Sequence, residues 1–179
     1  AMASAVNMLG DVHGGAGEQC LEMMQKVKEL LDQGGRLEET VSEEIANHRQ
    51  TKGKYIPGFG HRFHKPEDPR APRLMKLVSD AEGEKLVSGN FMRIGLEIQR
   101  QLSQGKSTGI AMNIDGATAV IFGELGFAPP LARGLFCLSR SVGILAHAWE
   151  QKNQGGRNKG PTPPEFLWNY TGKNPLKEE

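Results

Sequence analysis

Two histidines, an aspartate and two arginines stand where they could move protons beside a bound carboxylate. His13 lies in Gly10-Asp11-Val12-His13-Gly14-Gly15, just ahead of a helical pattern. An imidazole there faces the positive end of the helix and its free N–H groups. That setting favours a neutral ring able to donate one hydrogen bond to a carbonyl. The flanking glycines let a ligand approach the main chain closely. The alternative is a plain turn whose histidine caps or faces solvent.

The second candidate is His61, in Ile56-Pro57-Gly58-Phe59-Gly60-His61, with Arg62, His64, Arg70 and Arg73 close behind. Arginine forks match carboxylates in bidentate geometry, and a histidine beside them suits proton transfer to an anionic substrate. Asp68-Pro69 reads as a helix cap with proline at the first helical position, which would hold Arg70 on a helix. Arg62, His64 and Arg73 read as ordinary surface residues. The third candidate is Asp115 in Asn113-Ile114-Asp115-Gly116. It is either the N-cap of the next helix or a carboxylate base over a pocket. Arg140, inside CLSRSVGILAHAWE, is expected to need a partner, because a charge in an apolar helix is costly to bury alone. His147, seven residues on, reads as a core or interface histidine.

Helical periodicity supplies the elements that must position these groups. Cys20, Leu21, Met24, Val27, Leu30 and Leu31 recur at three- and four-residue steps, and Gly34-Gly35 stops the run. A more polar helix is expected from Leu37 to about Arg49. Others follow from Asp68, from Asn90 to Leu102, from Ala117 to Leu125 and from Leu131 to Gln151. Strand alternation is missing, so the fold class is all-α. AMASAVNML reads as the end of a helix with no cap before it, so the chain is expected to begin inside an element, as a truncated piece. The tail from Gly155 is rich in Gly, Pro and Asn and is expected to be irregular.

The formal net charge of +1 gives no field that would steer the chain to nucleic acid. No apolar run approaches the ~20 residues of a membrane span, and no basic segment opens a signal peptide. Cys20 and Cys137 make neither a disulfide framework nor a metal motif. Both lie in apolar helical patterns and read as buried thiols of a cytoplasmic protein. HExxH, HxxxH, CxxC and Walker signatures are absent, so no metal site is expected.

Taken in order, GDVHGGAGEQ, IPGFGHRFHKPEDPRA, NIDGATAVIFGELG and SRSVGILAHAWEQ resemble the carboxy-terminal part of the citrate synthase superfamily, whose motifs include GPLHGGANE, PGFGHRVYKxxDPRA and NVDFYSG. The resemblance spans essentially the whole chain. It implies an all-helical fold, a homodimer, and a cleft between a large and a small domain that closes on substrate. Residues 1–35 would then hold the end of a large-domain helix, the His13 loop and the next helix. Residues 36–128 would be mainly the small domain, and 129–179 a long helix and a tail returning to the large domain. His13 would polarise the thioester carbonyl of acetyl-CoA and Asp115 would take a proton from its methyl group. His61 would protonate the ketone of oxaloacetate. Arg70 and Arg140 would clamp carboxylates, and Arg157 weakly matches a further arginine supplied across the dimer. Ile56, Pro57, Gly58, Phe59 and Gly60 would receive the adenine of coenzyme A by their main chain.

The sequence departs from that pattern in two ways. Asp115 is followed by glycine, and Asp11 stands where citrate synthases carry proline. Both look like the citryl-CoA lyase branch, which cleaves citryl-CoA to acetyl-CoA and oxaloacetate. The alternatives are a citrate or 2-methylcitrate synthase, and a non-catalytic domain that binds CoA thioesters or mediates assembly. The small Gly116 is expected to leave room for a bulkier acyl chain or keto acid. The family also uses a histidine upstream of the first motif that has no counterpart here, so the isolated chain is expected to turn over little.

Overall fold

The computed structural model describes residues 1–155 and residue 165. Seven helices occur among them: α1 Met2–Asn7, α2 Ala16–Asp32, α3 Leu37–Thr51, α4 Arg70–Gly83, α5 Asn90–Ser103, α6 Ile114–Glu124 and α7 Pro129–Asn153. The two β-bridges in the described residues, Gly10 with Gly14 and Phe59 with Met112, are isolated. The all-α reading holds. Arg157 lies outside the described residues.

The core forms around α2, which packs on α3, α5, α6 and α7. Cys20, Leu21, Met24 and Val27, the three- and four-residue stripe of the sequence, are fully buried. They meet Ile94 and Ile98 of α5 and Ala117, Ala119 and Val120 of α6 in one cluster. Each large aliphatic side chain there contributes ~1.5–3 kcal/mol by leaving water. The α5 helix has no side-chain cap of its own. Glu124, at the end of α6, supplies one: its carboxylate accepts the main-chain N–H groups of Gly89, Phe91 and Met92. That contact ties the end of α6 to the start of α5, as an acidic group at a helix N-terminus should.

Three expectations need correction. Cys137 is only half-buried, whereas Cys20 is sealed in the core. Burial, and then the nearby Asp115, push the Cys20 thiol well above the usual range. Arg140 and His147 are exposed, because α7 buries only Ala132 against the described chain. On the described chain the Arg140 charge therefore needs no buried partner, and His147, 3.4 Å from Glu150, is not a core histidine. Finally, α6 begins at Ile114, three residues earlier than its apolar pattern suggested, for a reason that also decides the role of Asp115.

Candidate active site

Asn113, not Asp115, caps α6. Its Oδ1 accepts the N–H groups of Asp115 at 2.9 Å and Gly116 at 3.2 Å. Asp115 thereby sits within the first helical turn with its carboxylate released from capping duty. The same Asn113 fixes the His61 loop. Its Nδ2 donates to Gly60 O at 2.7 Å and its N–H to Gly58 O at 3.0 Å. Gly60 N donates in turn to Ala111 O at 2.7 Å. The segment 58–60 is thus zipped to 111–113, and His61 leaves that seam at a set point.

Two glycines permit the close approach. Gly58 has φ +84°, and a Cβ there would lie 2.6 Å from Cys20 Sγ and 2.8 Å from Gly116 Cα. A Cβ on Gly116 would run into Gly58 O. The small residue after Asp115 therefore serves main-chain packing. It lines no part of the cavity beside Asp115 and opens no space for a larger substrate, contrary to expectation.

Asp68 does more than the capping expected of it. Pro69 takes the cap position of α4, and Asp68, one residue earlier, is buried at 1% exposure. Its Oδ1 accepts Arg70 N–H at 3.1 Å and Arg70 Nε at 2.8 Å. Its Oδ2 accepts an Arg70 terminal nitrogen at 2.7 Å and Ile114 N–H at 3.1 Å. One carboxylate thus orients the guanidinium and joins the start of α4 to the start of α6. The Arg70 side-chain hydrogen bond holds the Asp68 carboxyl far below the usual range; burial, the next influence in size, opposes it, and the two main-chain donors add to the lowering.

Asp115, Arg70 and Arg140 line one cavity of about 260 Å³, together with Phe122, Phe136 and Gly17. Burial raises the Asp115 pKa, while Arg70, Arg140 and, in charged form, His61 oppose the rise and Asp68 adds to it. The guanidinium carbon of Arg140 lies 4.9 Å from the Phe136 ring centre, a cation–π distance. His61 faces a neighbouring recess of about 180 Å³, shared with His64, Lys65 and Asn113. Its Nδ1 accepts the main-chain N–H groups of Phe63 and His64, each at 3.0 Å. In the neutral ring Nε2 then carries the proton and is the atom offered to a ligand. His64 lies beside His61, with centroids 4.3 Å apart and the rings tilted by 37°. His13 is exposed and lies edge-on to Phe136, with centroids 6.5 Å apart. Convergence is therefore partial: three groups share a cavity, His61 adjoins it, and His13 stands across Phe136 from it.

A third recess, about 440 Å³, opens on the other side of the Ile56–Gly60 loop. Ile56, Phe59 and the exposed Tyr55 line it, with Arg49, Lys54 and Lys106 around them. Those cations come from two stretches, Arg49 with Lys54 and, far along the chain, Lys106, so local sequence inspection passes over them. Among the described residues no group of three His, Cys, Asp or Glu side chains is placed to hold a metal ion. No described helix is long and apolar enough to cross a membrane.

The family model of the citrate synthase C-terminal domain matches residues 1–161. The chain belongs to the citrate synthase family. It is 31% identical to citrate synthase of Acidithiobacillus ferridurans over 168 residues, covering 93% of this chain and 40% of that protein. Citryl-CoA lyase from Hydrogenobacter thermophilus superposes with a TM-score of 0.73 at 30% identity, over 99% of this chain and 65% of that one. Citrate synthase from Thermotoga maritima gives 0.61 at 31% identity, over 95% of this chain and 42% of that one. The chain thus spans about two fifths of the curated relatives it matches. The four motifs of this family member fall on the three loop-to-helix junctions and on α7.

Proposed function

We propose that this chain carries the catalytic residues of an enzyme that cleaves citryl-CoA to acetyl-CoA and oxaloacetate. The observation that carries the reading is Asp115: uncapped, its carboxyl raised by burial, in one cavity with Arg70 and Arg140. A raised carboxyl holds a proton more readily and can return it to carbon. In cleavage the citryl hydroxyl proton passes to His61 Nε2 as the carbon–carbon bond breaks, which requires the ring first to carry its own proton on Nδ1 and release the Phe63 and His64 N–H groups. The bonding pair moves into the enolate of acetyl-CoA, whose thioester oxygen accepts a hydrogen bond from His13. Asp115 then protonates the enolate carbon. Arg70 and Arg140 hold the departing oxaloacetate, and condensation is the same path reversed. A single preoriented donor such as His13 is worth ~3–4 kcal/mol in reactions of this kind. The subunits are expected to pair as homodimers.

A synthase differs in the fate of citryl-CoA, which it hydrolyses. Supplied with citryl-CoA, the full-length protein is expected to yield acetyl-CoA and oxaloacetate in equal amounts, read by chromatography. Citrate and free CoA as the main products would replace the lyase by a synthase. Binding of acetyl-CoA with neither product would leave only a binding domain.

The basic recess suits the nucleotide end of coenzyme A, with adenine against the Ile56–Gly60 main chain and phosphates near Arg49, Lys54 and Lys106. Arg49→Ala and Lys106→Ala are each expected to raise KM for the CoA ester about tenfold, the size of one lost charge-assisted hydrogen bond. The kcat should stay within about twofold, because such contacts bind ground and transition states alike. A fall in kcat at constant KM would move the nucleotide elsewhere.

A further inference from the structure

The loop carrying His13 is gripped by a charge cluster that the scheme above leaves unused. Gly10 N donates to His13 O at 2.9 Å, which closes the loop on itself. Gly15 lets it fold back, since a Cβ there would lie 2.6 Å from Asp11 O. Closure fixes the loop's shape but not its tilt toward the cavity. Arg133, on the second turn of α7, reaches across: a terminal nitrogen donates to Asp11 Oδ1 at 2.6 Å. Arg133 Nε forms an ion pair with Glu18 in the first turn of α2, and both atoms are shielded from water. Gln19 adds a bond from Nε2 to Asp11 O at 3.1 Å. The three side chains anchor the loop to two helices at once.

Arg133 shares its face of α7 with two residues already placed. Phe136, three positions on, meets the edge of His13, and a Cβ on Gly14 would touch its ring at 3.0 Å. Arg140, seven positions on, stands at the cavity. Spacings of three, four and seven put all three on one side of a helix. That side presents, in order, a grip on the His13 loop, a wall beside the imidazole and a cation for the substrate.

We propose that Arg133, acting through Asp11, is a positioning residue that sets where His13 stands, beside Phe136, relative to the cavity. An ion pair whose Asp11 end is 80% exposed adds little to stability. Its effect lies in aim, because a displacement of ~1 Å in a reacting group can cost ~10²-fold in rate. The residue that departs from the citrate synthase pattern at position 11 is thereby given a task.

The proposal rests on His13 as the donor to the thioester carbonyl, and the test separates the two. Exchange of the acetyl-CoA α-protons in deuterated water is followed by NMR in the full-length protein. The variants are His13→Ala, Arg133→Met, Arg133→Lys, Asp11→Asn, and His13→Ala combined with each of the Arg133→Met and Asp11→Asn changes. Arg133→Met and Asp11→Asn are each expected to slow exchange about tenfold, within the cost of such a displacement. Acetyl-CoA affinity should hardly change in either variant; Tm should hardly change in Asp11→Asn and should fall in Arg133→Met, which strands the shielded Glu18 carboxylate, and Arg133→Lys should recover most of the rate. On the His13→Ala background neither change should slow exchange further, because they act through the same group. Wild-type exchange in Arg133→Met, or its full loss recurring without His13, would overturn the proposal and leave the reading of His13 intact. Wild-type exchange in His13→Ala would remove that reading and the proposal with it. If Arg133→Met unfolds, Asp11→Asn decides, since that exposed side chain can be changed without disturbing the core.

Discussion

Asp115→Asn is expected to slow exchange of the acetyl-CoA α-protons by ~10²–10⁴-fold, the usual worth of a positioned general base, while CoA-ester affinity stays within about twofold. The amide is isosteric and Asn113 remains to cap α6, so the lost rate reports proton transfer and not helix damage. The stability change should carry the opposite sign to the activity change. Burial raises the Asp115 carboxyl above its unfolded value, so the folded state holds that proton more tightly. The associated stability is present below ~3.9, the ordinary aspartate value, and is lost as pH rises through the folded pKa. Wherever it is ionised, the carboxylate is a net cost to the fold. Asp115→Asn should then melt at or above the wild-type temperature at pH 7, and the difference should vanish well below pH 4. Calorimetry across pH checks this, and NMR exchange checks the rate. In the wild type the acid limb of the exchange profile should lie above an ordinary aspartate's. Retained exchange in Asp115→Asn would reject Asp115 as the base.

The helices of this chain could be read from side-chain periodicity because α2 and α5 each bury one stripe. The alternatives at Asp115 could not be closed that way. Asn113 and Asp115 are both good capping residues two positions apart, and only the direction of the Asn113 side chain separates cap from candidate base. Arg140 misled for a related reason. Leu138, Val142, Leu145 and Trp149 make α7 look like a buried helix, yet all four are exposed on the described chain. The grip of Arg133 on Asp11 spans 122 positions, and the cationic recess brings Lys106 to the distant pair Arg49 and Lys54. Contacts at such separations leave no local pattern. What did travel in the sequence was the order of the motifs, because each junction has its own main-chain requirement. Gly58 and Gly116 show this, as each is needed where the His61 loop crosses α6.

Asp68→Asn is expected to damage both stability and the binding of the acid substrate. All four polar partners of Asp68 are N–H donors: the Arg70 main chain, two Arg70 side-chain nitrogens and Ile114. An asparagine keeps one accepting oxygen and turns an NH₂ group on the other donors, so at least one bond becomes a clash of donors in a buried place. Breaking a pair buried on both sides costs ~3–5 kcal/mol. Arg70 is half exposed, so about 2–3 kcal/mol is expected here, near the value of lost charge-assisted bonds. For a chain of this size that lowers Tm by about 5–10 °C. The pH dependence follows from the depressed carboxyl. Its stabilisation is complete above the ordinary ~3.9 and is lost as pH falls toward the folded value. The gap between wild type and Asp68→Asn should therefore be constant from about pH 5 upward and narrow only in strong acid, the reverse of the Asp115 case. The catalytic signature should fall on one substrate. With Arg70 no longer aimed, KM for oxaloacetate in the condensation direction should rise about 10–100-fold, within the range for removing a bidentate carboxylate contact. The CoA-ester KM should stay near the wild-type value, since the recess at Ile56, Phe59 and Lys106 does not include Asp68. Equal rises in both KM values would mean that Asp68 supports only the general fold, and an unchanged Tm would mean that the joint between α4 and α6 lies elsewhere.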